Sequence, residues 1–156
     1  MILQAAILLH ILAAIFWIGG MLFLVLVIAP YLKSVPDPKA KSQIYQVVGK
    51  RYRFWGWVAI ITLLVTGPVM LYYLWALPPS AIINPDLHSG FGQALAAKLA
   101  LVALIVISSL VHDFWLGPRA RSSPGYSNLA KIFGRTNLMI ALLIVLFATY
   151  LRTGGF

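Results

Sequence analysis

Polar side chains are spaced along this chain in a way that leaves long uninterrupted apolar blocks. The first, Ile2 to Leu32, is interrupted only by Gln4 and His10, and it exceeds the roughly 20 residues that cross a hydrocarbon core of about 30 Å. Further blocks cover about 54–77, 91–114 and 129–151, the apolar part of the last beginning at Leu138. The pattern predicts an all-α integral membrane protein of four spans in a single domain. Short links between consecutive spans imply an antiparallel four-helix bundle.

Punctuation refines these limits. Pro68 should kink the second span, and the Thr66 hydroxyl is a ready partner for a carbonyl freed by the missing N–H. Pro78-Pro79 ends that span, and Gly117-Pro118 should prevent simple continuation of the third. The stretch 80–93 is rich in turn residues and long enough to fold over the mouth of a bundle. Residues 42–50 suggest a short interfacial helix inside an otherwise loop-like connection.

Composition supports lipid as the solvent: 62% of residues are hydrophobic and the mean hydropathy is +0.93. Met1-Ile2-Leu3-Gln4 lacks the basic start of a cleaved signal, so the first span is expected to be retained. A net charge of +9 would suggest nucleic acid if its sources formed one folded face. They lie instead beside the spans. Lys33, Lys39, Lys41, Lys50, Arg51 and Arg53 fall between the first and second blocks, and Arg119, Arg121, Lys131 and Arg135 between the third and fourth. By the positive-inside rule both connections are cytoplasmic, giving an N-out, C-out topology with both termini periplasmic or extracellular in a bacterial inner (plasma) membrane. No nucleic-acid partner is expected.

With no cysteine, thiolate chemistry is excluded. The carboxylates are Asp37, Asp86 and Asp113, the last at the membrane surface, and none lies inside the membrane beside a histidine and a serine; no glycine-rich phosphate loop is present. Hydrolases and nucleotide enzymes therefore drop out.

Two ionisable residues stand inside apolar blocks, where they are costly and usually functional. His10 and Lys98 each lie a few residues into a span that starts on the outer side, roughly 8–12 Å below the hydrocarbon edge. They could face one pocket. His10 shares a helix face with Ala13, Ala14, Trp17, Gly20 and Met21, where small side chains beside an aromatic one suit either close helix packing or the edge of a flat ligand. His10 reads equally as an interhelical hydrogen-bonding group, and Lys98 as a side chain snorkelling to the headgroups. His112 lies about 21 Å beyond Lys98 along the helix, too deep to share an iron with His10. It continues the stripe Lys98, Val102, Ile105, Ser109, with Asp113 next to it, as a proton path would. His88 in the outer loop could approach His10 from above and, with Met1, Met21 or Asp86, form a copper site. The remaining tryptophans and tyrosines, Tyr52 included, read as interfacial anchors.

Leu9-His10-Ile11-Leu12-Ala13 followed by Trp17-Ile18-Gly19-Gly20 resembles the first-helix pattern of the bacterial copper resistance protein D family of membrane domains. Arg51-Tyr52-Arg53-Phe54, Thr66-Gly67 and Ala97-Lys98-Leu99-Ala100-Leu101-Val102 extend the likeness over most of the chain. The same first and third helices are similar to the small four-helix, haem-containing protoporphyrinogen oxidase of bacteria. That resemblance implies a b-type haem with His10 as axial ligand, Lys98 as second ligand or propionate partner, and Trp17 beside it. A departure is the absence of a histidine soon after Lys98, the next being His112.

The expectation is thus a haem b membrane redox protein exchanging electrons with quinol or a periplasmic carrier, with oxidase-like chemistry open. One alternative is a copper-binding or copper-transporting protein using His10 and His88. Another is a structural subunit of a membrane complex. Small-residue faces on the first helix would also permit a homodimer.

Overall fold

The computed structural model describes residues 1–120 and 123–153 and is all-α across them. Four of its helices are long and apolar enough to cross a membrane: α1, Ile2–Ser34; α2, Pro38–Trp75; α4, Gly90–Arg119; and α5, whose apolar stretch is Gly125–Arg152 within Pro124–Arg152. A short α3, Pro79–Ile83, lies in the connection between α2 and α4. Their exposed positions are largely apolar, among them Leu8, Ile15, Phe54, Ile61, Val65, Leu104, Ile107 and Leu142. An outside of this kind is stable only against lipid.

The chain divides into two compact units, 1–70 and 71–156. The first is an antiparallel pair made by α1 and most of α2: His10 meets Thr66, and Trp17 meets Tyr52 seven residues further along α1. The second is an antiparallel α4–α5 hairpin, in which Ser108 faces Asn137 and Trp115 meets Tyr126. Its apolar core is Leu71, Ala94, Leu95 and Leu151, with Trp75, Phe91 and Phe147 against them.

The spans outrun their predicted limits, most of all α2. Helix begins at Pro38, so the expected basic loop is reduced to Val35–Asp37, and Lys39, Lys41, Lys50, Arg51 and Arg53 stand on a helical extension. Asp37 explains the start. Its carboxylate accepts from the backbone N–H groups of Lys39 (2.9 Å) and Ala40 (3.2 Å), and Pro38 occupies the first helical position where no N–H is needed. Arg121 and Ser122, in the second expected loop, lie outside the described residues.

Prolines inside the helices do not end them. α4 runs past Pro118 to Arg119, and α1 past Pro30 to Ser34, and in both a π-helical turn precedes the proline: Leu24–Ile28 before Pro30, Val111–Leu116 before Pro118. A widened turn accommodates the ring and the missing N–H that a regular α-turn would not. α2 continues through Pro68. Thr66 does not repair that site, because its hydroxyl donates to the Thr62 carbonyl at 2.7 Å, whereas the bond that Pro68 cannot make belongs to Leu64. At the end of α2, Ala76 takes a positive φ of 50° and the Leu77 N–H folds back to the Leu71 carbonyl, 3.4 Å away.

The 84–89 turn is tied to the start of α4. Ser89 caps the helix, its hydroxyl accepting from the Gly92 N–H and donating to the Asp86 carbonyl, both at 3.0 Å. Gly92 is required there, since a Cβ would collide with that carbonyl.

Candidate functional site

His10 lies on α1 eight residues after the helix starts, half-buried. Its Nδ1 is 2.7 Å from the Thr66 hydroxyl oxygen on α2, which is 6% exposed. A hydroxyl has one proton, and that of Thr66 is given to the Thr62 carbonyl. Toward His10 the oxygen can therefore only accept. Nδ1 must carry the imidazole proton, and the ring's lone pair is placed on Nε2. This is the arrangement by which an outer partner fixes the tautomer and orientation of a metal-binding histidine. Gly67 lies beside the ring, where a Cβ would come within ordinary contact of Cε1 at 3.7 Å.

One to two turns along, Trp17 is buried at 8% exposure. Its backbone carbonyl accepts from the Tyr52 hydroxyl at 2.6 Å, and the Tyr52 ring stacks with Phe16 at 6.3 Å between centroids. The ring crosses α1 at Gly20, where any Cβ would overlap it. Tyr52 is thus a cross-helix strut, where the sequence suggested an interfacial anchor. Trp17 is a packed member of this contact, and its indole also lies beside Gly56.

In the other unit, Lys98 is half-buried on α4, eight residues after that helix starts. Its ammonium makes no hydrogen bond or ion pair with any described residue. His88 is exposed in the 84–89 turn, its backbone N–H bonded to the Asp86 carboxylate at 3.0 Å. Among the described residues no three His, Cys, Asp or Glu side chains gather where they could hold a metal. Met1 and Met21 are nine and eleven residues from His10 on the same helix, so each lies roughly 13–17 Å along the axis from it. Neither can share a metal ion with His10.

A second polar cluster lies at the far end of α4. Ser108 donates to Asn137 Oδ1, and Asn137 Nδ2 donates to Ser109 Oγ at 3.3 Å, bridging α4 and α5. One turn on, His112 Nδ1 is 2.8 Å from Asp113 Oδ1 within the π-helical turn. Asn137, 6% exposed, had no place in the sequence expectation because it sits one residue before the apolar block that marked the last span. Its detectable signal was a carboxamide flanked by apolar residues on the side later buried.

The sequence profile described as Copper resistance protein D matches residues 46–151. That match takes in Lys98, His88, His112 and Asn137 and begins after α1, so His10 lies outside it. An uncharacterized protein of Aquifex aeolicus (strain VF5) is 37% identical over 147 residues, covering 94% of this chain and 92% of that protein. No solved structure matches the chain. With four membrane-length helices and a family match over most of its length, this chain is a multi-pass membrane protein that belongs to the copper resistance protein D family.

Proposed function

We propose that the protein is an integral membrane redox protein in which His10 is the axial ligand of a b-type haem. The observation that carries this reading is the Thr62–Thr66–His10 relay. It holds a neutral imidazole with Nδ1 protonated and Nε2 as the donor atom, as iron ligation requires. The donor set fits the group. A haem needs only one or two protein ligands, whereas a copper ion bound by imidazole and carboxylate needs several converging side chains, and no such group of three occurs among the described residues. Lys98 would supply an ammonium for a haem propionate or, as the deprotonated amine, a ligand for the iron; that pairing rests on the resemblance of the Ala97-Lys98-Leu99 stretch. When bound, the haem would supply one-electron chemistry, and the protein would fix its orientation and shield it from water. Electron partners would be quinol or a periplasmic carrier, in an N-out, C-out orientation.

A second reading is copper binding or passage, favoured by the description of the family to which the chain belongs. There His10 and His88 would be the ligands. Oxidised and dithionite-reduced absorption spectra of detergent-purified protein, with iron and copper analysis, separate the two. A reduced b-type band that disappears in His10→Ala is the expected result. Stoichiometric copper with no such band would replace haem by copper, and neither metal would overturn both readings in favour of a scaffold subunit.

A further inference from the structure

The outward face of α5 has no role in the site just described. Asn128, Lys131, Arg135, Met139, Leu142 and Leu146 recur every three or four residues, which at about 100° per residue keeps them within an arc of roughly 80°. All six are exposed, so no described part of the chain covers them. The buried residues Asn137 and Ala141 lie on the other side of the helix, where Asn137 binds α4. The stripe therefore looks away from α4. Its first half is polar and basic, its second half apolar.

Depth, availability and charge say what this face accepts. Lys131 and Arg135 precede Arg152, at the opposite end of the span, by 21 and 17 residues, or roughly 32 and 26 Å of helix. With Arg152 at one edge of a hydrocarbon core of about 30 Å, the two cations straddle the other edge, next to the lipid phosphates, and Met139, Leu142 and Leu146 follow at acyl-chain depth. Arg135 makes no hydrogen bond or ion pair with any described residue, and Lys131 Nζ reaches only Asn128 Oδ1, at 3.4 Å. Arg119 at the end of α4 is, by contrast, engaged with Trp115, its guanidinium 5.0 Å from the ring centroid and an N–H donated to the carbonyl at 3.1 Å. No carboxylate stands on the stripe: Asp113 is bonded to His112, Asp86 to the 84–89 turn and Asp37 to the start of α2.

We infer that the outward face of α5 is a binding site for an anionic phospholipid. The phosphate is held by the Lys131 ammonium and the Arg135 guanidinium, whose fork matches two phosphate oxygens, with the Asn128 amide N–H groups as further donors. An acyl chain lies along Met139, Leu142 and Leu146. Headgroup selectivity follows from the missing carboxylate. Phosphatidylcholine brings its own ammonium, which meets two cations and no acid, whereas phosphatidylglycerol presents a phosphate with no charge to compensate it. The apolar continuation of the stripe selects a lipid over a free phosphate ion. This site goes beyond the redox reading and is independent of what His10 binds.

The test is native mass spectrometry of the full chain released from detergent, titrated with phosphatidylglycerol and phosphatidylcholine of identical acyl chains. A one-to-one phosphatidylglycerol adduct is expected, bound about 25-fold more tightly than phosphatidylcholine, each cation contributing about fivefold. Lys131→Gln combined with Arg135→Gln should abolish that preference; both side chains are exposed, and circular dichroism checks that the helices are retained. Lys39→Gln combined with Lys41→Gln removes the same charge from the helical extension of α2 and should leave the preference unchanged. Glycerol 3-phosphate at millimolar concentration should not displace the lipid. Equal binding of the two lipids would overturn the proposal, as would a preference lost equally in both double variants, which is general attraction between a basic chain and anionic lipid. Displacement by glycerol 3-phosphate would replace the lipid by a soluble phosphate ligand, and dimers in place of lipid adducts would assign the face to a second copy of this chain; either result overturns the site as stated.

Discussion

A threonine hydroxyl has a single proton to give, and where Thr66 sends it decides which nitrogen of His10 can bind anything. Thr66→Val keeps the shape of the side chain and removes the oxygen, so it should weaken metal or haem retention about 10- to 100-fold while the helices stay folded. Thr66→Ser should preserve most of it. Titrating the apoprotein with haemin, or following metal loss on dialysis, checks both. His10 and Lys98 were legible as candidates because an ionisable residue within an apolar block is conspicuous by itself. Thr66 was visible only as a hydroxyl near Pro68, since its partner lies 56 positions away and no local pattern encodes that pairing. Ala76 gives a second residue-level expectation. Its positive φ disfavours any side chain, so Ala76→Gly should raise stability by about 1 kcal/mol, read as a higher thermal unfolding midpoint in detergent.

At the scale of elements, the centres of the spans were legible and their ends were not. Hydropathy marks where a helix must be, because a backbone in lipid has no other way to satisfy its hydrogen bonds. It does not report helix continuing beyond the apolar block, as Pro38–Arg53 does. The signal there was Asp37-Pro38, a capping residue and a first-turn proline that also resemble a loop. Pro118 misled in the other direction, since a π-helical turn absorbs what a proline would otherwise break, as it also does before Pro30. The α1–α2 contact yields a test of packing. In Gly20→Ala the added methyl meets the Tyr52 ring, which must move and release its bond to the Trp17 carbonyl. Overpacking of this kind costs about 1–3 kcal/mol. The double variant Gly20→Ala, Tyr52→Leu should recover part of that loss in thermal unfolding, because the clash is gone.

At the scale of the whole molecule, the proposed N-out, C-out orientation rests on the positive-inside rule applied to the basic residues of the two connections. The chain has no cysteine, so single cysteines introduced at Lys39 and at Asp86 report their side of the membrane without background. With both termini outside, an impermeant maleimide added to intact cells should label Asp86→Cys and leave Lys39→Cys unlabelled until the cells are opened; the reverse pattern would invert the topology.

The two attachment points between α1 and α2 bear on how this chain can change. Tyr52 and Thr66 are fourteen positions apart on α2, and Trp17 and His10 are seven apart on α1, so at 3.6 residues per turn each pair returns to nearly the same face. Apolar residues on the outer surface between them, such as Val58, Ile61 and Val65, can be exchanged for other apolar residues without moving either attachment. Adding or removing one residue between Tyr52 and Thr66 would turn one attachment by about 100° relative to the other. Gaps are therefore expected to be excluded from this segment even among relatives whose lipid-facing residues have diverged freely.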